Sequence, residues 1–399
     1  MPNVNPAILR WARETAGFSE TEATAKLGIR AARGVEAVDR LRELEAGVTS
    51  PSRPMLVKMA KQYRRPLLVF YLADPPRQGD RGQDFRTLPQ DHPPEEEALL
   101  DALIRDVQAR QSLIRAAILD EDEVEPLAFV GSVGVADGVD RVVVAIREAL
   151  GLPLEAYRAA RDIDEAFGVL RDHTEEAGVF VLLLGNLGSH HTNIDLETFR
   201  GFALADQVAP FLVINDQDHH GAWSFTLLHE LAHLWLGQTG VSGGRPEKSV
   251  EKFCNDVASE FLLPGQELEE LADVGEASVE VAAARISEFA LARKVSHSMV
   301  AYKLHRTGAL SATKWGALSQ FFRERWFAER ERRRERAREN EGGPNYYVVR
   351  RHRLGSALVE LTARLMATGA LTTSKAGTVL GVKPKNVQGV IGEYRARAS

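Results

Sequence analysis

Between Phe225 and Leu236 the chain is apolar on nearly every face that a helix presents, with Leu227, Leu228, Leu231, Ala232, Leu234, Trp235 and Leu236 distributed around it. A helix of this kind belongs at the centre of a domain, shielded on all sides. Yet the same run carries three ionisable residues, in the order His229-Glu230-Leu231-Ala232-His233. Burying such groups without partners is costly, so the fold must supply something for them to bind. Residues four apart share one helix face, which brings both imidazoles to a single point. A metal ion is the simplest common partner; two satisfied core histidines are the alternative. Glu230, one residue beyond His229, is positioned as a general base beside such an ion, the pattern of a zinc-peptidase helix.

A zinc site needs further ligands. A third histidine six residues after His233 is excluded, because that position is Thr239. The other common arrangement takes a carboxylate from a following helix. The segment 247–264 has the apolar spacing of a helix, through Val250, Phe253, Cys254, Val257, Ala258, Phe261 and Leu262, and Pro264 ends it. Glu251 and Asn255 share a face there, so that Glu251 can complete the site while Asn255 hydrogen-bonds a ligand histidine. Spacing leaves Glu247, Asp256 and Glu260 as rivals.

The run Phe225 to His233, followed by Glu251-x-x-Cys254-Asn255 and Leu262-Leu263-Pro264, resembles the ImmA/IrrE family of metallopeptidases. The resemblance extends upstream to 210–215 and downstream to 291–296 and 302–306. It implies that His229, His233 and Glu251 bind one Zn2+ and that Glu230 is the catalytic base. It implies further a protein substrate, a helix-turn-helix repressor, whose cleavage releases stress, phage or mobile-element genes, with DNA damage products or single-stranded DNA as signals. The fold expected is α+β and predominantly helical: a small zincin-like domain, made of a short sheet with the two site helices, flanked by helical domains. Strands are expected near 179–184, 200–204 and 210–214. The 200–204 stretch is expected at the sheet edge, where an extended substrate pairs with a strand.

Other features carry plainer readings. The adjacent pairs His190-His191 and His219-His220 do not face one way on a helix or strand. The second pair is a candidate for oxyanion stabilisation, although a solvated loop explains it as well. Cys254 is the only cysteine, which rules out an internal disulfide and reads as a small core residue. The chain has 399 residues and a net charge of −6, which allows several domains and gives no global drive toward nucleic acid. No apolar stretch is long enough to span a membrane and no secretory signal opens the sequence, so a reducing cytoplasm is the expected location.

The expected divisions are a helix-turn-helix module over 1–75, a helical connector over 76–160, the peptidase over 161–310 and a helical unit over 311–399. The first resembles the Xre/Cro-type module, with Ser19 and Glu22 as a capping box. Lys26, Arg30, Arg33, Arg40 and Arg42 are its candidate DNA contacts, double- or single-stranded. Glu36, Asp39, Glu43 and Glu45 oppose that role by repelling phosphate, which leaves protein docking as the alternative. The connector contains Asp84-Phe85-Arg86, which also recurs in similar proteins. Arg and Glu alternate at helical spacing over 322–338, as on a solvated helix. Beyond Gly342-Gly343-Pro344, residues 373–391 have the pattern of a second helix-turn-helix. The expected function is a zinc-dependent regulatory endopeptidase. Its rival is a DNA-binding regulator or antitoxin-like protein whose peptidase fold senses metal without cutting.

Overall fold

The computed structural model describes residues 4–76, 83–84, 94–121, 124–242, 249–339 and 345–392. Helices dominate, and the chain divides into two compact units. The first contains 1–81, 88–106 and 186–198, and the second contains the remainder.

In the first unit, α1 (Pro6–Glu14), α2 (Glu20–Leu27), α3 (Ala37–Glu45) and α4 (Arg53–Gln62) close around Ile8, Leu9, Leu27, Leu41, Leu56, Met59, Tyr63 and Phe70. The capping box forms: the Glu22 amide donates to Ser19 Oγ, and the Ser19 amide donates to Glu22 Oε2 at 2.8 Å. The buried guanidinium of Arg13 donates to both oxygens of Glu45, at 2.7 and 2.9 Å, which explains why one of the acidic residues in this region is not at the surface.

The division between units falls inside α5 (Pro94–Leu119). The second unit adds α6 (Val139–Leu150), α7 (Leu154–Arg158) and α8 (Ile163–Glu176), then alternates strands with the central helices. Its sheet holds β1 (Gln83–Asp84), β2 (Phe180–Leu183), β3 (Gly201–Leu204), β4 (Phe211–Ile214) and β5 (Gly240–Ser242), in the order β1-β5-β3-β4-β2. β2 runs parallel to β4, while β3 is antiparallel to both β4 and β5. Strands β2 to β4 are buried throughout, which is why they read as continuous apolar runs without alternation.

One expectation is corrected here. The 200–204 stretch is not an edge: β5 lies along one side of β3, pairing Gly201 with Ser242 and Ala203 with Gly240, and β4 lies along the other. At three residues, β5 is too short to show a strand period in the sequence. Of the Asp84-Phe85-Arg86 motif, Asp84 falls in β1, and Phe85 and Arg86 lie outside the described residues, as do Gly342, Gly343 and Pro344.

Helix α9 (His220–Trp235) packs on β3 and β4, and α10 (Ser249–Leu262) packs on α9 and α6. Gly237, with φ +66°, ends α9 in a left-handed turn, and its amide returns to the Leu234 carbonyl. A Cβ on Gly237 would lie 2.9 Å from Gly131 Cα, so the turn also needs glycine for close approach. Then follow α11 (Val279–Ala292), α12 (His297–Arg306), α13 (Ala312–Glu339), α14 (Tyr346–Leu354), α15 (Ser356–Ala367), α16 (Thr373–Val379) and α17 (Val387–Ile391). The last two are the short helices read from the sequence as a second helix-turn-helix.

A buried ion pair ties α8 to the junction of α14 and α15. Arg171 Nε donates to Glu175 Oε1 at 2.9 Å, and Arg171 Nη1 donates to the His352 carbonyl at 2.6 Å. Glu175 Oε2 accepts from Ser356 Oγ and from the Ala357 amide. Replacing Glu175 by Ala therefore leaves a buried guanidinium without its carboxylate. The expected loss of unfolding free energy is about 3–5 kcal/mol, read from urea denaturation of the full chain. A loss below about 1 kcal/mol would mean that water reaches Arg171 as readily as it reaches a surface pair.

Candidate metal centre

The site is made by α9 and α10, which form the most extensive helix pair of the second unit. Burial of α9 on nearly all sides fixes His229, Glu230 and His233 at 5, 0 and 0 % exposure, and Glu251 of α10 stands opposite at 1 %. The two imidazole Nε2 atoms are 3.2 Å apart. Glu251 brings Oε1 to 3.0 Å from His233 Nε2 and Oε2 to 3.4 Å from His229 Nε2. Ligand atoms from all three residues lie within 4.8 Å of one another, the only such His, Cys, Asp or Glu group among the described residues.

The far sides of both rings are held. His229 Nδ1 lies 2.9 Å from Asn255 Oδ1, and His233 Nδ1 lies 3.4 Å from Gln238 Oε1. The amide oxygens there accept a hydrogen bond from Nδ1–H, which leaves each Nε2 lone pair facing the cluster. Asn255 is the residue that the sequence paired with a ligand histidine. Gln238 carried no recognisable signal, because it sits in the turn after α9 and its place follows only from that turn's path.

Electrostatics separates the two carboxylates. Burial raises both, but for Glu251 the charges and hydrogen bonds of His229 and His233 outweigh burial and bring it down to about 2. Glu230 is held up at about 8, first by burial and then by Glu251, against the opposing charge of His229. Neither oxygen of the Glu230 carboxylate forms a well-aligned hydrogen bond, and the nearby Ser242 hydroxyl lowers its pKa only as the least of the influences on it. A fully buried carboxylate with neither oxygen well paired is expensive, and it indicates that the site is built for a further polar group at that position. The donor set of two neutral imidazole nitrogens and one carboxylate suits a divalent metal, with Glu230 beside it and not coordinating. The residues thus fit a metal ion.

Residues 185–305 match the family model described as the IrrE N-terminal-like domain. This IrrE-like region is less than a third of the chain and runs from before β3 through α12, so every residue of the cluster falls inside it. The match supports a metallopeptidase-type function for the region, in line with the resemblance read from the motif. The 1–75 segment lies outside it. No curated protein and no solved structure matches the chain.

Within the IrrE-like region the rival carboxylates are engaged elsewhere. Asp256 accepts from Arg306 Nη2 at 2.6 Å, and Glu260 accepts from Lys303 Nζ at 2.5 Å. Glu247 lies outside the described residues. His219 and His220 do not form a loop: they are the N-cap and first residue of α9, with His220 stacked on Trp223 and bonded to Asp164. Nine helix positions place His220 about 13 Å along the axis from His229, too far to stabilise an oxyanion at the cluster. His190 and His191 stay exposed in a single 3-10 turn. Cys254 is fully buried in the core, as its setting implied.

The candidate DNA contacts lie in the first unit. Arg42 is held by both oxygens of Glu20 and by Asp39, and Arg40 donates to the Arg30 carbonyl at 2.6 Å. Lys26 lies over the Phe18 ring at 4.7 Å, while Arg30 and Arg33 are exposed. No described helix is long and apolar enough to cross a membrane.

Proposed function

We propose that this chain is a zinc-dependent endopeptidase in which His229, His233 and Glu251 hold the ion and Glu230 is the general base. The observation that carries this reading is the Glu230 carboxylate, wholly buried and without a well-aligned hydrogen bond, next to three converging ligand residues. A bound zinc ion would polarise a peptide carbonyl and lower the pKa of water. Glu230 would take the proton from the attacking water and pass it to the departing amine. Asn255 and Gln238 keep both imidazoles in the tautomer that presents Nε2. The substrate in this reading is a helix-turn-helix repressor whose loss changes transcription.

The test is cleavage by the purified, zinc-loaded chain of repressor proteins and of a proteome-derived peptide library, with new termini identified by mass spectrometry. Cutting at defined bonds that a chelator stops and zinc restores supports the proposal. No cutting of either substrate set overturns it.

Gly201 gives a separate prediction. A Cβ there would lie 2.6 Å from Glu230 Oε1 and 2.9 Å from Thr226 Cγ2, so β3 passes directly over the base. Gly201→Ala must displace the carboxylate but touches none of the three ligands. Cleavage is expected to fall about 10²-fold, the effect of misplacing a reacting group by roughly an ångström, while metal content per chain is unchanged. Equal activity in the variant would show that Glu230 has room to move without loss.

A further inference from the structure

β5 brings a fifth polar atom into the cluster. Ser242 is 4 % exposed, and its Oγ lies 3.1 Å from His229 Nε2 and 3.4 Å from His233 Nε2. Zinc bonds of about 2.0–2.1 Å to nitrogen and oxygen set the edges of a coordination tetrahedron at about 3.3 Å. The separations between single donor atoms are close to that length: 3.2 Å between the imidazoles, 3.1 and 3.4 Å from them to Ser242, and 3.0 Å from His233 to Glu251 Oε1, while the other oxygen of Glu251, Oε2, lies 3.4 Å from His229. Ser242 Oγ thus faces both ring nitrogens at once and also lies near the Glu230 carboxyl, whose pKa it lowers. The backbone also fixes it there, because Ser242 pairs with Gly201 and its carbonyl accepts from the Arg200 amide.

We infer that Ser242 occupies the fourth corner of the metal's coordination sphere and closes the site until substrate displaces it. The inference rests on the metal reading proposed above. A neutral hydroxyl is a weak ligand beside imidazole and carboxylate, so it yields to a peptide carbonyl or to water. The position it holds is the one that a catalytic zinc must open.

The experiment uses the full chain with Co2+ in place of zinc, as wild type, Ser242→Cys and Ser242→Ala, each with folding checked by circular dichroism. A thiol at the fourth corner gives a thiolate-to-cobalt charge-transfer band in the near ultraviolet. The expected result is that band in Ser242→Cys and none in wild type, whose Cys254 is the internal control. Acetohydroxamate, which competes for the open position, is expected to bind Ser242→Ala about fivefold to tenfold more tightly than wild type, the effect of one net contact. One cobalt per chain in Ser242→Cys without the band, or equal hydroxamate affinity in wild type and Ser242→Ala, overturns the assignment of Ser242 alone. A wild type that takes up no cobalt overturns the metal centre itself, and the Ser242 assignment with it.

Discussion

Glu251→Ala is expected to leave the purified protein essentially free of metal, where the wild type is expected to carry about one zinc per chain. Glu251 is the anionic member of the three ligands, 1 % exposed, with one oxygen facing each histidine. Truncating it leaves two neutral imidazoles to hold a dication in a buried site, with its charge uncompensated. Removing a partner that only orients a ligand lowers metal affinity by about 10–100-fold. That range is the expectation for Asn255→Ala, and the loss in Glu251→Ala must exceed it. Elemental mass spectrometry after dialysis gives the stoichiometry. Thermal unfolding gives a second reading, because a ligand that binds only the folded state raises the unfolding temperature. Added zinc should therefore stabilise the wild type and leave Glu251→Ala unmoved. A variant that retains one tightly held zinc would exclude Glu251 as a ligand.

How much of this site can be read in the sequence follows from how local each part is. His229, Glu230 and His233 are one helix turn, and the helix period alone puts the imidazoles together. Glu251 and Asn255 share a face of the next helix, so spacing narrows the third ligand without choosing it. Only tertiary packing shows that Asp256 and Glu260 are drawn off by Arg306 and Lys303. Gln238, Gly201 and Ser242 gave no signal. The first depends on the path of a turn, the second on β3 crossing above Glu230, and the third on a three-residue strand that pairs with β3, a strand remote from it in the sequence. That strand also explains why 200–204, a good strand by composition, was misplaced as an edge. Composition tells how buried a strand is, but it does not tell which neighbour covers it. In the first unit, two of the four acidic residues set against a basic face have cationic partners of their own, Glu45 buried on Arg13 and Asp39 paired with Arg42 at the surface.

Glu230→Gln is expected to lower cleavage by about 10²–10⁴-fold with zinc content unchanged, because the amide keeps the shape of the side chain and cannot take a proton. The variant separates binding from chemistry, since Glu230 is not among the atoms that converge on the metal position. It makes a second demand on stability. In the wild type both oxygens of this carboxylate are buried without a well-aligned hydrogen bond, so the group burdens the fold. With its pKa raised to about 8 the carboxyl is already largely neutral in the metal-free protein at pH 7, so the neutral amide replaces it at little cost, and the metal-free variant should be no less stable than the metal-free wild type in urea denaturation at that pH. Lost activity together with undiminished stability is the signature of a residue retained for its chemistry. A variant that unfolds more readily would instead make Glu230 a structural group, and its lost activity would carry no mechanistic weight. If Glu230→Gln stops cleavage in solution but leaves the cellular phenotype intact, the protein acts as a regulator that senses metal, and proteolysis is not its role.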